Sequence, residues 1–279
     1  MESLTQLARA KLNLGLWVGE KRPDNFHNIF SIIVPIDWTD TLTSRKSEAF
    51  KLRCNQHIEN NLVEKAWRLF QKEMNIASEV DIVLEKKIPL KAGLGGGSSD
   101  AATALLLFDR FFKTPLTMEE LVIIVAQVGS DVPAMMLNEP CLITGRGEIA
   151  RPIELTLDWS VVIVMPQAAV STKDAYDWID ESHKKRDMPV QQQMNAWIED
   201  ESLLFEAMHN DFQDIVPQKV PQVKKTMDDL RNAGAQKVML CGSGAAVAGF
   251  FRGINHHLIA KDCYEKIKRL YPVSWEGKI

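Results

Sequence analysis

Apolar and polar positions change period several times along the chain, and each change marks an element. Residues 5–19 alternate, with Ala8, Ala10, Leu12 and Leu14 on one side and Leu7, Arg9, Lys11 and Asn13 on the other. A period of two predicts a strand with one polar face. Further strands are predicted at Ile29 to Val34, Asp40 to Leu52, and Val80 to Glu85. Asn60 to Phe70 has the spacing of an amphipathic helix capped by Asn60 or Asn61, and Ala101 to Phe112 is an Ala- and Leu-rich helix that Pro115 stops. Thr117 opens another helix toward Gly129, with Glu120 placed for a capping box. Ser160 to Met165 reads as a strand buried on both faces, Ser171 or Thr172 caps a helix, and Val220 to Asn232 is a helix ended by Gly234. Lys237 to Leu240 is a last strand. The pattern predicts an α+β protein.

Between the strand at 80–85 and the helix at 101 lies Ala92-Gly93-Leu94-Gly95-Gly96-Gly97-Ser98-Ser99-Asp100-Ala101-Ala102. The first N–H groups of a helix lack intrahelical partners and carry partial positive charge. Glycines let several of those groups face one anion, and Ser98 and Ser99 add hydroxyl donors and caps, so the loop suits a di- or triphosphate. The alternative is a tight turn ahead of a buried helix. It is not a P-loop, since no Lys follows the glycines, nor a dinucleotide fingerprint, since Ser98 stands where G-x-G-x-x-G needs its third Gly.

Composition narrows the partners. With 279 residues and 46% hydrophobic content the chain builds one large or two ordinary domains. A net charge of -4 carries no basic excess, so nucleic acid is not an expected partner, though a local positive pocket remains compatible. Cys54, Cys141, Cys241 and Cys263 form no CxxC pair and fit a reducing compartment. Arg9 and Lys11 interrupt the first apolar residues, and Leu240 to Phe251 is too short to span a bilayer. A soluble, cytoplasmic protein is expected, with no membrane partner. His183 to Asp187 reads as a solvated charge run and His256-His257 as an exposed pair with no matching metal cluster.

Pro89 to Thr103 resembles the central motif of the GHMP kinases, and within them its Gly-Leu-Gly-Gly-Gly-Ser-Ser-Asp-Ala-Ala is most similar to the 4-diphosphocytidyl-2-C-methyl-D-erythritol kinase branch. Ala10-Lys11-Leu12-Asn13-Leu14 is similar to the first motif, and Cys241-Gly242-Ser243-Gly244-Ala245 to the third, with Cys241 in place of Ser. Lys21-Arg22-Pro23-Asp24-Asn25-Phe26-His27-Asn28 resembles the cytidine loop, with Asn25 for Gly and Asn28 for Glu; Gly129 to Pro133 and Val170 to Thr172 match further segments. The turn at Leu142 to Glu148 and Asn210-Asp211-Phe212 match as structural segments.

The resemblance implies an N-terminal domain like ribosomal protein S5 domain 2 over residues 1–155, which binds ATP, and a ferredoxin-like domain over 156–279, with the site in the cleft. It implies ATP contacts from Asn61, Gly93, Leu94, Gly95, Gly96, Gly97, Ser98 and Ser99. Asn13, Phe26, His27, Asp131, Thr172, Gly242 and Ser243 are implied to bind substrate, Phe26 stacking on cytosine and His27 bonding its edge. Lys11 and Asp131 are the implied catalytic pair. The implied reaction moves the ATP γ-phosphoryl group to the 2-hydroxyl of 4-diphosphocytidyl-2-C-methyl-D-erythritol, in isoprenoid precursor synthesis. Mg²⁺ is expected with ATP, with no protein ligand assigned. A mevalonate- or homoserine-type GHMP kinase and a catalytically silent nucleotide-binding homologue stay open, as do monomer and homodimer.

Overall fold

The opening alternation runs into one long hairpin. The computed structural model describes residues 3–114, 116–182 and 187–279. Strand β1 (Ser3–Lys21) pairs antiparallel with β2 (His27–Ser47), with register shifts at Arg9/Ala10, Asn13/Gly15 and Val18/Lys21. The two strands expected over residues 29–52 are one continuous β2 followed by a short β3 (Lys51–Cys54). Helix α1 (Leu62–Glu73) then crosses to β4 (Glu79–Glu85), which lies parallel to β3 and antiparallel to β2. Next come α2 (Gly96–Phe112), α3 (Met118–Ala126), α4 (Val132–Leu137), β5 (Cys141–Thr144) and β6 (Ile149–Pro152). The apolar faces of α1 and α2 meet on this sheet, where Trp67 packs edge-on to Phe108 with ring centroids 4.9 Å apart.

A second sheet follows. Its elements are β7 (Ser160–Val164), α5 (Thr172–Glu181), α6 (Gln191–Glu199), α7 (Glu201–Ala207), β8 (His209–Asn210), α8 (Val216–Lys219), α9 (Pro221–Asn232), β9 (Lys237–Leu240), β10 (Val247–Phe251), α10 (His256–Ile267) and β11 (Ser274–Lys278). Strand order is β11-β7-β10-β9, all antiparallel, the ferredoxin-like arrangement. The short β8 leaves this half and pairs with β1 at Gly15 and Leu16. β7 is buried throughout: Val161 and Ile163 face the core shared with β1 and β2, and Val162 and Val164 face α9 and α10. This satisfies the unbroken apolar run.

Several elements differ from the sequence reading. α2 begins at Gly96 rather than Ala101, because the glycines and serines themselves form its first turn. α3 ends at Ala126, short of Gly129. Pro115 and residues 183–186 of the charge run lie outside the described residues. His256 is not exposed; it is buried, with Nδ1 2.9 Å from Ser160 Oγ. Among the described residues no helix is long and apolar enough to cross a membrane.

Beneath the start of α2 sits a buried ion cluster. Lys86 Nζ donates to Asp40 Oδ2 at 2.5 Å and to Asp100 Oδ2 at 2.7 Å, while Asp40 Oδ1 accepts from the Ile88 amide at 2.8 Å. It ties β2, the end of β4 and α2 into one unit below the glycine loop. Burial pushes the Asp100 carboxyl up to about 7, with Lys86 pulling down and Asp40 pushing further up. The folded protein therefore holds a proton there that the unfolded chain releases. This group's contribution to stability falls as pH rises from the usual carboxylate range toward 7. Asp100→Asn is expected to flatten the fall in stability over that range in urea melts; an unchanged slope would contradict this.

Candidate active site

A cavity of about 1290 Å³ opens where the start of α2, the first turn of α5 and the loops at 25–27, 130–131 and 242–243 converge. It gathers Lys11, Asn13, Phe26, His27, Gly93, Leu94, Gly95, Gly96, Gly97, Ser98, Asp131, Thr172, Gly242 and Ser243 on one wall or another. Asn61 and Ser99 are not on that wall. Asn61 Oδ1 accepts from the Val63 amide at 3.0 Å and so caps α1, while its neighbours Asn60 and Leu62 line the cavity. Ser99 is buried in the first turn of α2.

The glycine loop is held by backbone. Gly95, not a serine, occupies the N-cap of α2 at φ 70°, and no side chain caps the helix. The amides of Gly96, Gly97 and Ser98 thus precede the first intrahelical bond, Ser99 N–H to Gly95 O at 2.9 Å. At Gly93 (φ +77°) a Cβ would sit inside the carbonyl oxygen of Cys241. Glycine lets these two turns touch. Lys11 N–H donates to Leu94 O at 3.0 Å, and the Ala245 and Ala246 amides donate to Lys91 O and Ala92 O, each at 3.2 Å. Asn210 Nδ2 donates to Leu240 O and Gly242 O, both at 2.8 Å, which fixes the third motif from the β8 side.

The Lys11 ammonium donates to Asn13 Oδ1 at 2.5 Å and Gly93 O at 2.8 Å. Burial pulls its pKa below the ordinary lysine value, opposed by the charge of Asp131 and by Cys241. Asp131 stands at the N-cap position of α4, yet its side chain makes no capping bond, so its carboxylate is not spent on the helix. The Cys241 thiol is buried and pushed up to about 12, with Lys11 opposing; a thiol in place of the usual hydroxyl stays protonated. Behind Lys11 and Asp131 lies a second cavity of about 30 Å³ that Ser31 also lines.

At the far side of the larger cavity wall, Phe26 is half-exposed with the Arg146 guanidinium 4.9 Å from its ring centroid. His27 stacks on Tyr176 at 5.1 Å, and its Nε2 lies 2.8 Å from Asp180 Oδ1. Asn25 adopts φ 67°, the left-handed conformation for which it substitutes for Gly, and Asn28 Oδ1 accepts from Arg22 at 3.1 Å. Thr172 Oγ1 is 3.2 Å from Ser243 Oγ, joining α5 to the third motif.

Four residues here escaped the sequence reading: Ser31, Arg146, Tyr176 and Asp180. A signal existed for two of them. Thr172, Tyr176 and Asp180 are spaced four apart on α5 and share the face that lines the cavity. Ser31 gave none, being one small polar residue in an apolar strand. Yet its hydroxyl donates to Gly15 O at 2.6 Å and accepts from Asn13 Nδ2 at 2.8 Å. That direction turns the Asn13 carbonyl oxygen toward Lys11. Ser31→Ala leaves a buried amide donor without its acceptor, and denaturant unfolding is expected to show a loss of about 1–3 kcal/mol that Ser31→Thr largely restores. Equal losses in both variants would contradict the role.

The family described as GHMP kinases N terminal domain matches residues 61–139. A 4-diphosphocytidyl-2-C-methyl-D-erythritol kinase of Chloroherpeton thalassium is 35% identical, covering 99% of this chain and 98% of its own. One of Thermodesulfovibrio yellowstonii is 35% identical over 89% of this chain and 90% of its own. A crystal structure of 4-(cytidine 5'-diphospho)-2C-methyl-D-erythritol kinase superposes with a TM-score of 0.81 at 28% identity, covering 99% of this chain and 98% of that one. The chain belongs to the 4-diphosphocytidyl-2-C-methyl-D-erythritol kinase family of the GHMP kinases.

Proposed function

We propose that the protein transfers the γ-phosphoryl group of MgATP to the 2-hydroxyl of 4-diphosphocytidyl-2-C-methyl-D-erythritol, in the cytoplasm, as a step of non-mevalonate isoprenoid precursor synthesis. The supporting observation is the joint placement of three chemistries on one cavity: a cradle of free peptide amides, a Lys–Asp pair, and an aromatic–histidine corner. In this reading residues 1–155 form the ATP-binding unit and 156–279 the unit that completes the substrate wall through Thr172, Tyr176, Gly242 and Ser243.

The amides of Gly96, Gly97 and Ser98 receive the phosphates at the start of α2, where the helix dipole favours negative charge. The acceptor is a tertiary alcohol, a weak nucleophile until its proton leaves. Asp131 takes that proton as the alcohol oxygen bonds to the γ-phosphorus and the bond to the β-phosphate oxygen breaks, releasing ADP. Lys11, held by Asn13 and Gly93, keeps its third N–H for the transferring oxygens, whose charge it stabilises. Mg²⁺ enters this reading with the nucleotide phosphates, as part of the substrate. Phe26 offers a ring face to the cytosine.

Asp131→Asn is expected to lower kcat about 10²- to 10⁴-fold while ATP affinity measured by calorimetry stays within a few fold; near-normal kcat would remove Asp131 as the base. Phe26→Ala is expected to raise KM for the cytidyl substrate about tenfold and leave KM for ATP in place; equal weakening of both ligands would count against the cytosine corner.

A further inference from the structure

The bond between His27 and Asp180 has a direction, and the direction has a consequence for which base the cleft accepts. His27 Nε2 lies 2.8 Å from Asp180 Oδ1, and Lys21 Nζ lies 2.7 Å from Asp180 Oδ2. Burial works against the charged form of Asp180, but the bonds from Lys21 and His27 outweigh it and hold the carboxyl below its ordinary value. An ionised carboxylate can only accept, so Nε2 carries the proton. In the neutral imidazole Nδ1 is then a bare acceptor. Among the described residues no hydrogen-bond partner is found for Nδ1, and His27 lines the cavity.

We propose that Asp180 is a specificity-determining positioning residue: it fixes the His27 tautomer, so that Nδ1 accepts from the 4-amino group of cytosine and rejects the 4-oxo group of uracil. This rests on the proposed reading that Phe26 and His27 receive the base. Uracil presents an acceptor where cytosine presents a donor, so with Nδ1 bare a uridine ligand sets two lone pairs against each other. A site built to bond one partner discriminates strongly against an analogue that leaves it unpaired.

The same geometry supplies a reversing substitution. In Asp180→Asn, Lys21 can only donate and therefore takes the amide oxygen, which leaves the amide N–H groups facing His27. Nε2 must then accept, and the proton moves to Nδ1, which becomes a donor suited to uracil. The test measures CDP and UDP affinity by calorimetry with ADP at saturation, so that the glycine cradle is already filled, alongside ¹⁵N NMR of the histidine ring. The wild type is expected to prefer CDP with its proton on Nε2. Asp180→Asn is expected to lower the CDP-to-UDP preference by tenfold or more, with the proton on Nδ1. Three results overturn the proposal: a wild-type His27 with its proton on Nδ1, no wild-type preference for CDP, or a preference in Asp180→Asn within about twofold of wild type. The wild-type NMR result stands whether or not the variant folds. A wild type that prefers CDP but releases no ADP with the cytidyl substrate refutes the kinase reading and leaves the tautomer assignment intact.

Discussion

The cleft depends on peptide backbone from three distant segments meeting at residues 91–94. Lys11 N–H reaches Leu94 O, the Ala245 and Ala246 amides reach Lys91 O and Ala92 O, and Gly93 lies against the Cys241 carbonyl. These contacts run from backbone to backbone, so the chain brings β1, the glycine loop and the third motif within hydrogen-bonding distance of each other. Everything chemical follows from that closeness. Lys11 enters the cleft because its backbone is tied to the loop, and α2 points its unpaired amides inward because Gly95 turns the chain just before it.

Around that junction, hydrogen-bond direction decides what each polar group presents. Ser31 gives its proton to Gly15, so Asn13 must turn its amide nitrogen toward Ser31 and its oxygen toward Lys11. Asp180 accepts from both Lys21 and His27, so the imidazole keeps a proton on Nε2. Lys86 satisfies one oxygen each of Asp40 and Asp100 in a cluster sealed from water, where removing the Lys86 charge would leave buried carboxyls uncompensated. Each network begins on scaffold strands or helices and ends at the cavity, so the fold transmits orientation to groups that touch ligand.

What the sequence made legible was local. Period-two alternation located β1, an unbroken apolar run located β7, Asn60 or Asn61 and Thr117 announced the starts of α1 and α3, and the run of glycines with Ser-Ser marked the anion cradle. What it hid required knowing a distant neighbour. The glycines looked like a loop, yet in the company of Ile88 and Lys86 they form the first turn of α2. His256 looked exposed because its partner Ser160 is 96 positions away. Of the two asparagines offered as the cap of α1, it is Asn61 whose oxygen accepts from the Val63 amide, which the local pattern alone did not decide. Asp180 was readable only from its spacing with Thr172 and Tyr176 once α5 was known to face the cleft.

In the proposed reading a cradle of backbone amides and a Lys–Asp pair act together to phosphorylate a tertiary alcohol. The most direct measurement is ³¹P and ¹³C NMR of the product formed from MgATP and 4-diphosphocytidyl-2-C-methyl-D-erythritol. One ADP is expected per new phosphomonoester, with the added phosphorus coupled to the quaternary carbon that bears the 2-oxygen. Inorganic phosphate alone, or an ester on a primary carbinol, would contradict it.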